Sequence, residues 1–446
     1  MDLAALRTAV SGSVLAAEDQ GWDAARNSHA GLGRPDVIVR VDSLDDVSEA
    51  VRFAAAGHRE VVVRAGGHSA WCTLDDGVLV DLTALDSVEV VEDPDGGALV
   101  RIGGGARWGD VARVLSDRGL GISSGDTASV GVGGLTLGGG IGLMVRAWGL
   151  AADQLVGAQL VTAQGEVVEV TDASHPDLLW ALRGGGGNFG IVTRFDFRAH
   201  DLSGVVLAEL GVSGNARPIL AALRDVLADA PRELTVTFMD VPAMDPNAPA
   251  GASIVAVWAG SDEEALRAAL APLLTVEGVV LNDLAARVYP DILLDHPVPE
   301  PEQQMPGFLG GNTLLPELDD DAIDALVSFR ESTPASVLLL RSLGGAFGDV
   351  PQDATPFPAR NATWFAMAGA FDIPGLVDDA QRARLEEAWA AIEARGAGVY
   401  GNFSTTTDPA FAERMYPAGT MARLAAVKAT WDPRNVFARN HNVVPA

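Results

Sequence analysis

Residues 61–71 read VVVRAGGHSAW, an apolar run that leads directly into two glycines and a histidine. The valines predict a buried strand, because β-branched side chains favour extended backbone. After Arg64, the pair Gly66 and Gly67 permits a tight turn whose backbone N–H groups can approach a ligand closely. One interpretation is a sharp turn that happens to contain His68. The other is a phosphate-binding loop that presents His68 for covalent chemistry, and the rest of the sequence has to decide between them.

The segment around this loop alternates strands with helices. Ser43 is placed to cap a helix that ends at Gly57, with Asp46 three residues after the cap as in a capping box. A second helical face begins at Trp108 and stops at Gly119. Further strands are predicted at residues 36–41, 78–82, 88–91 and 98–102. This alternation predicts an α/β unit.

The pattern changes near residue 200, where longer strand-like runs appear. They lie at residues 234–238, 253–258, 336–340 and 363–370, with alanine-rich helices such as residues 263–274 between them. This pattern predicts a second domain, an antiparallel sheet with helices on one face. The proline-rich residues 296–306 predict an exposed loop.

The composition excludes several classes of function. The formal net charge of −29 disfavours nucleic acid and anionic membranes as partners. Cys72 is the only cysteine, which excludes an intramolecular disulfide and a cysteine-rich zinc site, and the histidines show no metal-ligand spacing. The sequence has no signal peptide and no apolar run of membrane-spanning length, so we expect a soluble cytoplasmic protein. Nothing in it indicates an oligomeric state.

Two further glycine-rich stretches accompany the first. Residues 130–142 read VGVGGLTLGGGIG, and residues 184–191 read GGGGNFGI. Three such clusters in one α/β unit favour a large diphosphate cofactor over glycines used only for turns.

Two short motifs in this region match known fingerprints by letter only. Gly185, Gly187 and Gly190 fit the dinucleotide pattern GxGxxG, but they follow a helical stretch and precede a strand, which argues against an ordinary Rossmann site. Residues 121–125 fit GxSxG without the preceding strand and following helix of a nucleophile elbow, so a serine hydrolase is not predicted.

Five longer motifs occur in a fixed order: RAGGHS (64–69), VGVGGLTLGGGIG (130–142), GLAADQLVGAQLVTAQGEVV (149–168), DLLWALRGGGGNFGIVTRF (177–195) and DPRNVFARNHNVVP (432–445). Together they resemble the berberine-bridge-enzyme-like branch of the vanillyl-alcohol-oxidase (PCMH) flavoprotein family. The resemblance is strong over residues 36–198 and 398–446 and weak between them.

The resemblance implies a two-domain α+β fold. A PCMH-type FAD-binding domain of two α/β subdomains would be built from both ends of the chain, residues 1–198 and 396–446. Residues 199–395 would form a substrate domain of antiparallel sheet covered by helices.

The family also implies FAD as the cofactor, with His68 bonded to the 8α-methyl carbon of the flavin; free FAD, with His68 only packing, is the alternative. Many relatives form a second bond from a cysteine, and Thr127 takes that position here. Cys72 lies outside it, so we expect one link and a buried or loop thiol. The missing cysteine shifts the expected substrate away from oligosaccharides. The residues that the resemblance places at the cofactor are Arg64, Ala65, Gly66, Gly67, His68, Ser69, Thr127, Val130, Gly131, Gly133, Gly134, Leu137, Gly138, Gly139, Gly140, Gly142, Gly187, Asn188, Gly190, Ile191, Val192, Asn440 and Asn442.

Relatives often use a tyrosine as the catalytic base, and Tyr400 lies in a stretch that resembles the family's Tyr-x-Asn. Asn402 could hydrogen-bond the flavin or the substrate; a core tyrosine and a turn asparagine are the alternatives. An alcohol needs a base for its O–H proton, whereas an amine can react in its neutral form.

We expect an oxidase that removes hydride from a C–H bond next to an alcohol or amine of a small organic or natural-product substrate, with O2 as acceptor and H2O2 as product. A dehydrogenase with another acceptor, a carbohydrate oxidase and an idle flavin-binding protein are the alternatives.

Six other residues carry weaker expectations. Asp153 is expected to cap a turn, and Trp71 to pack beside one. Four side chains of the middle domain could face the substrate, although each is more simply part of the core: Trp258, Arg341, Trp364 and Met367.

Overall fold

The computed structural model describes residues 2–92, 96–242, 251–299, 307–372, 377–404, 406 and 408–446. Its helices are α1 (Leu3–Ala9), α2 (Trp22–Ala25), α3 (Leu44–Ala56), α4 (Trp108–Ser116), α5 (Val132–Leu137), α6 (Val145–Trp148), α7 (Pro176–Leu182), α8 (Ala216–Ala228), α9 (Glu263–Leu270), α10 (Asp320–Glu331), α11 (Ala346–Asp349), α12 (Asp379–Glu393), α13 (Pro409–Met415) and α14 (Ala418–Trp431). Its strands are β1 (Ser13–Leu15), β2 (Asn27–Ser28), β3 (Gly31–Leu32), β4 (Val37–Arg40), β5 (Val61–Arg64), β6 (Val78–Asp81), β7 (Val88–Glu92), β8 (Ala98–Gly103), β9 (Leu120–Gly121), β10 (Leu155–Val161), β11 (Val167–Thr171), β12 (Ile191–Arg198), β13 (His200–Asp201), β14 (Val205–Val212), β15 (Leu234–Val241), β16 (Gly251–Ala259), β17 (Val279–Arg287), β18 (Gly307–Leu315), β19 (Ser336–Ser342) and β20 (Trp364–Asp372).

The first sheet has the strand order β1-β4-β6-β5. β4 and β5 run parallel to β6, and helix α3 packs over them in one apolar core. As predicted, Ser43 caps α3 by accepting a hydrogen bond from the Asp46 N–H, and Gly57 follows the last turn. Because ligands bind beyond the carboxyl ends of parallel strands, the loop after β5 leaves the sheet at the edge where a cofactor is expected.

The second sheet, with the order β11-β10-β12-β8-β7, is antiparallel throughout. Its core includes side chains of α4 and α7, and also Val399, Met415, Leu424 and Val443 from the C-terminal part of the chain. The end of the chain therefore packs on a sheet built from residues before 198, which is consistent with the expected return to the first domain. The boundaries themselves stay a prediction.

The third sheet has seven antiparallel strands in the order β17-β14-β16-β15-β19-β20-β18. One face is covered by helices α8, α9, α10 and α12 in a continuous core. The α+β fold is thus confirmed. Side chains alternate along each strand, so Trp258 and Trp364 face the helices, as the core interpretation expected. The predicted helix 263–274 ends at Leu270, because Pro272 has no backbone N–H with which to continue the helical hydrogen bonds. A short 3-10 turn follows.

The opposite face of the third sheet packs on the glycine-rich part of the first domain. Leu339, Phe365 and Met367 contact a cluster that includes Ile141 and Leu150. The glycine-rich residues 130–142 therefore lie between the two sheets, and a cofactor held there would face the third sheet.

Two arginines join the domains across this interface. The Arg360 guanidinium makes a bidentate ion pair with Asp153, with N–O distances of 2.6 and 2.9 Å, and both side chains are buried. Asp153 also accepts from the Leu150 N–H, so it holds the turn as expected. Arg146 donates to the carbonyl oxygens of Ala230, Leu234 and Leu343. A buried pair that loses one partner leaves an uncompensated charge, so these contacts fix how the domains dock.

Two smaller expectations concern the surface. Within the described part of the proline-rich loop, residues 296–299 form no helix or strand and residues 296–298 are exposed; residues 300–306 lie outside the described residues. No helix among the described ranges is both long and apolar enough to cross a bilayer.

Candidate active site

The loop after β5 is anchored by Arg64. Its guanidinium is buried, donates to the Asp81 carboxylate at 2.6 Å and reaches the Asn27 carbonyl at 3.2 Å. Arg64 thus ties the loop to β6 and to the β2–β3 hairpin above it. These contacts show the guanidinium holding the loop, and its expected place at the cofactor stays a prediction.

His68 lies half-buried at the tip of this loop. Its Nε2 atom is 2.9 Å from the Ser129 hydroxyl oxygen, and its ring stacks on His29 with centroids 3.7 Å apart and an interplanar angle of 19°. Burial, together with His29, His296 and Arg107, lowers the pKa of His68 to about 4. The imidazole is therefore neutral at physiological pH, which is the nucleophilic form of the ring.

Gly66 and Gly131 bring two glycine clusters into backbone contact. A Cβ atom on Gly66 would lie 2.3 Å from the Gly131 nitrogen, so a side chain at either position would force the loops apart. Gly67 has a φ of 74°, which favours glycine. Within the described residues, no hydrogen bond engages the backbone N–H groups of Gly66, Gly67, His68 and Ser69. These free donors form the kind of cradle that a diphosphate needs.

The second cluster continues from this contact to the C-terminal segment. Leu137 accepts a hydrogen bond from the Gly186 N–H, which joins the second cluster to the third. Gly138 faces the Asn402 side chain, whose oxygen would lie 2.0 Å from an added Cβ, and Gly142 packs on the Ser124 carbonyl. Among the other glycines predicted to lie at the cofactor, Gly133 faces Gly104 and Gly134 faces open space. Gly139 and Gly140 have φ values of 117° and 88°, which favour glycine.

The third cluster meets the closing motif of the chain. Asn188 donates to the carbonyls of Gly185 and His441 and accepts from the Val443 N–H, so its side chain is fully used within the protein. Its expected contact with the cofactor is thereby limited to the backbone. Ile191 and Val192 lie in β12 with their side chains in the cores. Gly190, at a φ of 156°, and Gly187 complete the turn before this strand.

Asn440 and Asn442 have buried side-chain oxygens that no donor reaches within the described part of the chain. A buried acceptor without a donor destabilises the folded state, so each oxygen is suited to accept a hydrogen bond from a bound ligand. The Asn440 amide nitrogen is 3.9 Å from the position of a Gly187 Cβ, which places it at the third cluster. Free amides, close glycine contacts and unpaired oxygens together fit a flavin dinucleotide.

Tyr400 lies at the other end of the site and is only 1% exposed. Its oxygen is within hydrogen-bond distance of three N–H donors: the amides of Gly140 at 3.2 Å and Ile141 at 3.3 Å, and the Asn402 amide at 2.9 Å. Asn402 also donates to the Leu135 carbonyl, which sets the orientation of its amide group. Burial raises the pKa of the Tyr400 hydroxyl to about 12.

Several residues at the site had no expectation attached to them. Ser129, His29 and His296 surround His68, and Ser129 donates to the His296 carbonyl at 3.2 Å. Asp126 pairs with Arg341 at 2.6 Å, and Arg341 also donates to Thr237. No motif signals these contacts, because they join segments up to 215 residues apart. Among the middle-domain candidates, Arg341 and Met367 therefore lie on the face toward the first domain.

Thr127 and Cys72 occupy distinct environments near His68. The Thr127 hydroxyl donates to Asp126 at 3.0 Å, beside the His68–Ser129 contact. Cys72 is buried under the loop, where burial raises the pKa of its thiol to about 11. Trp71 packs edge-on against His441 with ring centroids 5.4 Å apart, as the packing interpretation expected. His441 in turn reaches the Gly401 carbonyl at 3.0 Å, so the two ends of the site are connected.

Comparison with known proteins agrees with this arrangement. Residues 35–171 match the family described as FAD binding domain, and residues 399–444 match Berberine and berberine like. The (R)-6-hydroxynicotine oxidase of Paenarthrobacter nicotinovorans is 30% identical over 98% of this chain and 97% of its own.

Solved structures agree as well. The 6-hydroxy-D-nicotine oxidase from Arthrobacter nicotinovorans is 28% identical with a TM-score of 0.81, covering 98% of both chains. The glucooligosaccharide oxidase from Acremonium strictum, described with a 6-S-cysteinyl, 8α-N1-histidyl FAD, is 25% identical with a TM-score of 0.84 over 99% of both chains. This chain therefore belongs to the berberine-bridge-enzyme-like family of FAD-linked oxidoreductases.

Proposed function

We propose that this protein is an FAD-dependent oxidase that carries its flavin on His68 and passes electrons to O2. The proposal is supported by the placement of a neutral, half-buried imidazole beside free backbone donors and unpaired asparagine oxygens. When bound, FAD would supply the hydride acceptor. The protein's part is to hold the diphosphate on the glycine clusters and to exclude water with the apolar face of the third sheet.

A single covalent link is the form that these residues favour. Thr127 stands at the position of the second attachment in relatives, and an aliphatic hydroxyl is a far weaker nucleophile than the thiolate of a cysteine. The Cys72 thiol is buried and its pKa is raised, so little thiolate forms near neutral pH. The other cofactor contacts proposed from the family resemblance are retained, with Arg64 and Asn188 as residues that hold the loops.

For the substrate we propose a small amine, and the observation that carries this choice is the enclosed Tyr400 hydroxyl. At 1% exposure, with three N–H donors at its oxygen, the phenol is poorly placed to take a proton from a bound alcohol. A neutral amine needs no such base. The relative at 30% identity is named for oxidation of 6-hydroxynicotine, a compound with a pyrrolidine nitrogen. A net charge of −29 would also attract cationic amines to the surface.

Apolar side chains close to the site suit a compact substrate with a ring. Phe403 is 43% exposed and packs on Phe365 and Tyr400 with centroids 5.2 and 5.6 Å apart. Leu294 is 49% exposed and its backbone pairs with Thr127 and its neighbours. We propose that these side chains contact the apolar part of the substrate.

A second candidate is oxidation of an alcohol, including a sugar. It is favoured by the same Tyr400 oxygen, because three N–H donors are one more than the lone pairs of a neutral phenol, and a phenolate could accept them all. In that case Tyr400 would be the base and Asn402 the residue that holds its oxygen.

Oxygen consumption separates the two candidates. Purified yellow protein would be screened with secondary and tertiary cyclic amines, with primary and secondary alcohols, and with oligosaccharides, while H2O2 is measured in parallel. We expect O2 uptake and equimolar H2O2 with amines alone. Turnover of sugars without any turnover of amines would contradict the amine proposal and favour the alcohol oxidase. Reduction of the flavin without reoxidation in air would indicate a dehydrogenase, and no reduction by any compound would indicate an idle flavin-binding protein.

A further inference from the structure

The contact between His68 and Ser129 has a defined direction. Ser129 donates its hydroxyl proton to the His296 carbonyl at 3.2 Å, and a carbonyl can only accept. Since a hydroxyl carries a single proton, the Ser129 oxygen faces the His68 Nε2 atom as an acceptor across 2.9 Å. The Nε2 atom must then carry the ring proton.

The other nitrogen of the His68 ring is consequently bare. A neutral imidazole has one protonated and one unprotonated nitrogen, and the partner of the first selects the second. Within the described residues, Ser129 is the hydrogen-bond partner of the ring, through its hydroxyl at Nε2 and through its backbone. His29 covers one face of the ring at 3.7 Å, which restricts its rotation. The lone pair is thus confined to Nδ1 in a ring held by two contacts.

We propose that Ser129 is a positioning residue for flavin attachment, because it holds His68 as the Nε2–H tautomer and so makes Nδ1 the atom that bonds to the 8α carbon. This inference rests on the proposed link between His68 and FAD. His296, from the middle domain, takes part by receiving the Ser129 proton, so the tautomer depends on the docking of both domains.

The attachment balances with O2 as the oxidant. A bond forms between Nδ1 and the 8α carbon, and one C–H bond of the methyl group breaks. Its two electrons pass to the flavin and then to O2, and the alkylated imidazole releases its Nε2 proton. The sum is FAD, the imidazole N–H and O2 giving linked FAD and H2O2. The Ser129 hydroxyl serves both states, since it can rotate to donate to the bare Nε2 of the product.

The experiment follows covalent flavin instead of turnover. Wild type, Ser129→Ala and Ser129→Thr are prepared with little bound flavin, mixed with FAD in air, and sampled by acid precipitation. Peptide digestion and NMR of the aminoacyl flavin then identify the linked nitrogen. We expect Nδ1 in the wild type, a roughly ten-fold slower attachment or a mixture of isomers in Ser129→Ala, and recovery of rate and isomer in Ser129→Thr. Ser213→Ala, an exposed serine of the third sheet's domain, is the handling control.

Three results would overturn the inference. Attachment through Nε2 in the wild type would contradict the tautomer and leave the covalent proposal intact. Unchanged rate and isomer in Ser129→Ala would remove the role of Ser129. Wild-type protein whose flavin is entirely released by acid would instead defeat the covalent proposal itself. Thermal unfolding and noncovalent FAD binding of each variant distinguish a folding defect, which would lower both, from loss of positioning, which would lower attachment alone.

Discussion

The two ends of the candidate site differ in how completely their polar groups are satisfied. At the His68 end, which comprises residues 64–71 with His29 and Ser129, four successive backbone N–H groups have no partner within the described residues. At the Tyr400 end, which comprises residues 400–403 with residues 138–141, the phenol oxygen has three donors and is almost inaccessible.

The difference indicates what each end is built to do. Unpaired polar groups are costly in a folded protein, so an end that retains them is suited to a ligand. An end whose groups are paired contributes stability and shape. The family resemblance placed the covalent residue and the candidate base at these two ends, and the contacts favour chemistry at His68 and a holding role at Tyr400.

Removing the imidazole is the largest perturbation of the His68 end. His68→Ala should abolish covalent flavin completely, because it removes the side chain that we propose for the link; acid precipitation should leave a colourless pellet. The folded His68→Ala protein should still bind some FAD noncovalently through the glycine clusters. Cys72→Ala is the matched control and should keep its flavin in the pellet. Retention of pellet flavin in His68→Ala would mean that another residue carries the link.

Forcing the two glycine loops apart tests the cradle. In Gly66→Ala the added methyl would lie 2.3 Å from the Gly131 nitrogen, so both loops must shift. We expect a large loss of FAD content and a decrease of about 1–3 kcal/mol in the free energy of unfolding. Gly419→Ala, in α14 with no atom within 4 Å of the new Cβ, should unfold no more easily than wild type. Normal flavin content in Gly66→Ala would show that the close approach is not required.

Deleting the phenol oxygen addresses the Tyr400 end. Tyr400→Phe leaves the N–H groups of Gly140 and Ile141 without an acceptor, so the free energy of unfolding should fall by about 1–3 kcal/mol in denaturant titrations. With an amine substrate, kcat/KM should stay within about three-fold of wild type. A loss of several orders of magnitude with unchanged stability would make Tyr400 the base and favour the alcohol candidate.

The smallest expected effect is the response of attachment to pH. The folded pKa of His68 is lowered to about 4, so the ring stays neutral well below the usual histidine range. The rate of covalent incorporation should be nearly constant from about pH 8 to about pH 5 and fall only as the ring protonates. Since the unfolded ring protonates more readily, His68 should also destabilise the fold progressively below about pH 6.5. An incorporation rate that halves near pH 6.5 would indicate an ordinary imidazole.

The elements that local chemistry dictates were predictable. The valine run before Arg64, the cap at Ser43 and the glycines of the three clusters each depend on backbone preferences that a few neighbouring residues decide. The glycine clusters indicated a large diphosphate cofactor, and the order of the five motifs gave the resemblance to a family, which implied FAD. The position of Thr127 likewise pointed to a single link.

The partners across the fold were not predictable. Arg64 lies in the sequence next to a glycine pair of the kind that binds phosphate, yet its guanidinium pairs with Asp81. The Asn188 side chain hydrogen-bonds the C-terminal segment. Both outcomes depend on which strands lie side by side. Alternation along a strand predicts that its side chains lie on two faces, but it does not predict which face packs on the helices. The sequence therefore could not assign Trp258 to the helix-covered face and Arg341 to the face toward the first domain.

The sequence by itself determined the α/β start, the antiparallel second domain and the glycine loops, because these follow from side-chain alternation and local backbone freedom. The resemblance of its five motifs to a known family added the candidate attachment residue. Only the tertiary structure decided the state of the reactive groups. The stacking of His29, the Ser129–His296 contact that selects a tautomer, and the enclosure of Tyr400 arise from segments far apart in the chain. Hydrogen-bond direction and burial are properties of these contacts, and no residue carries them alone.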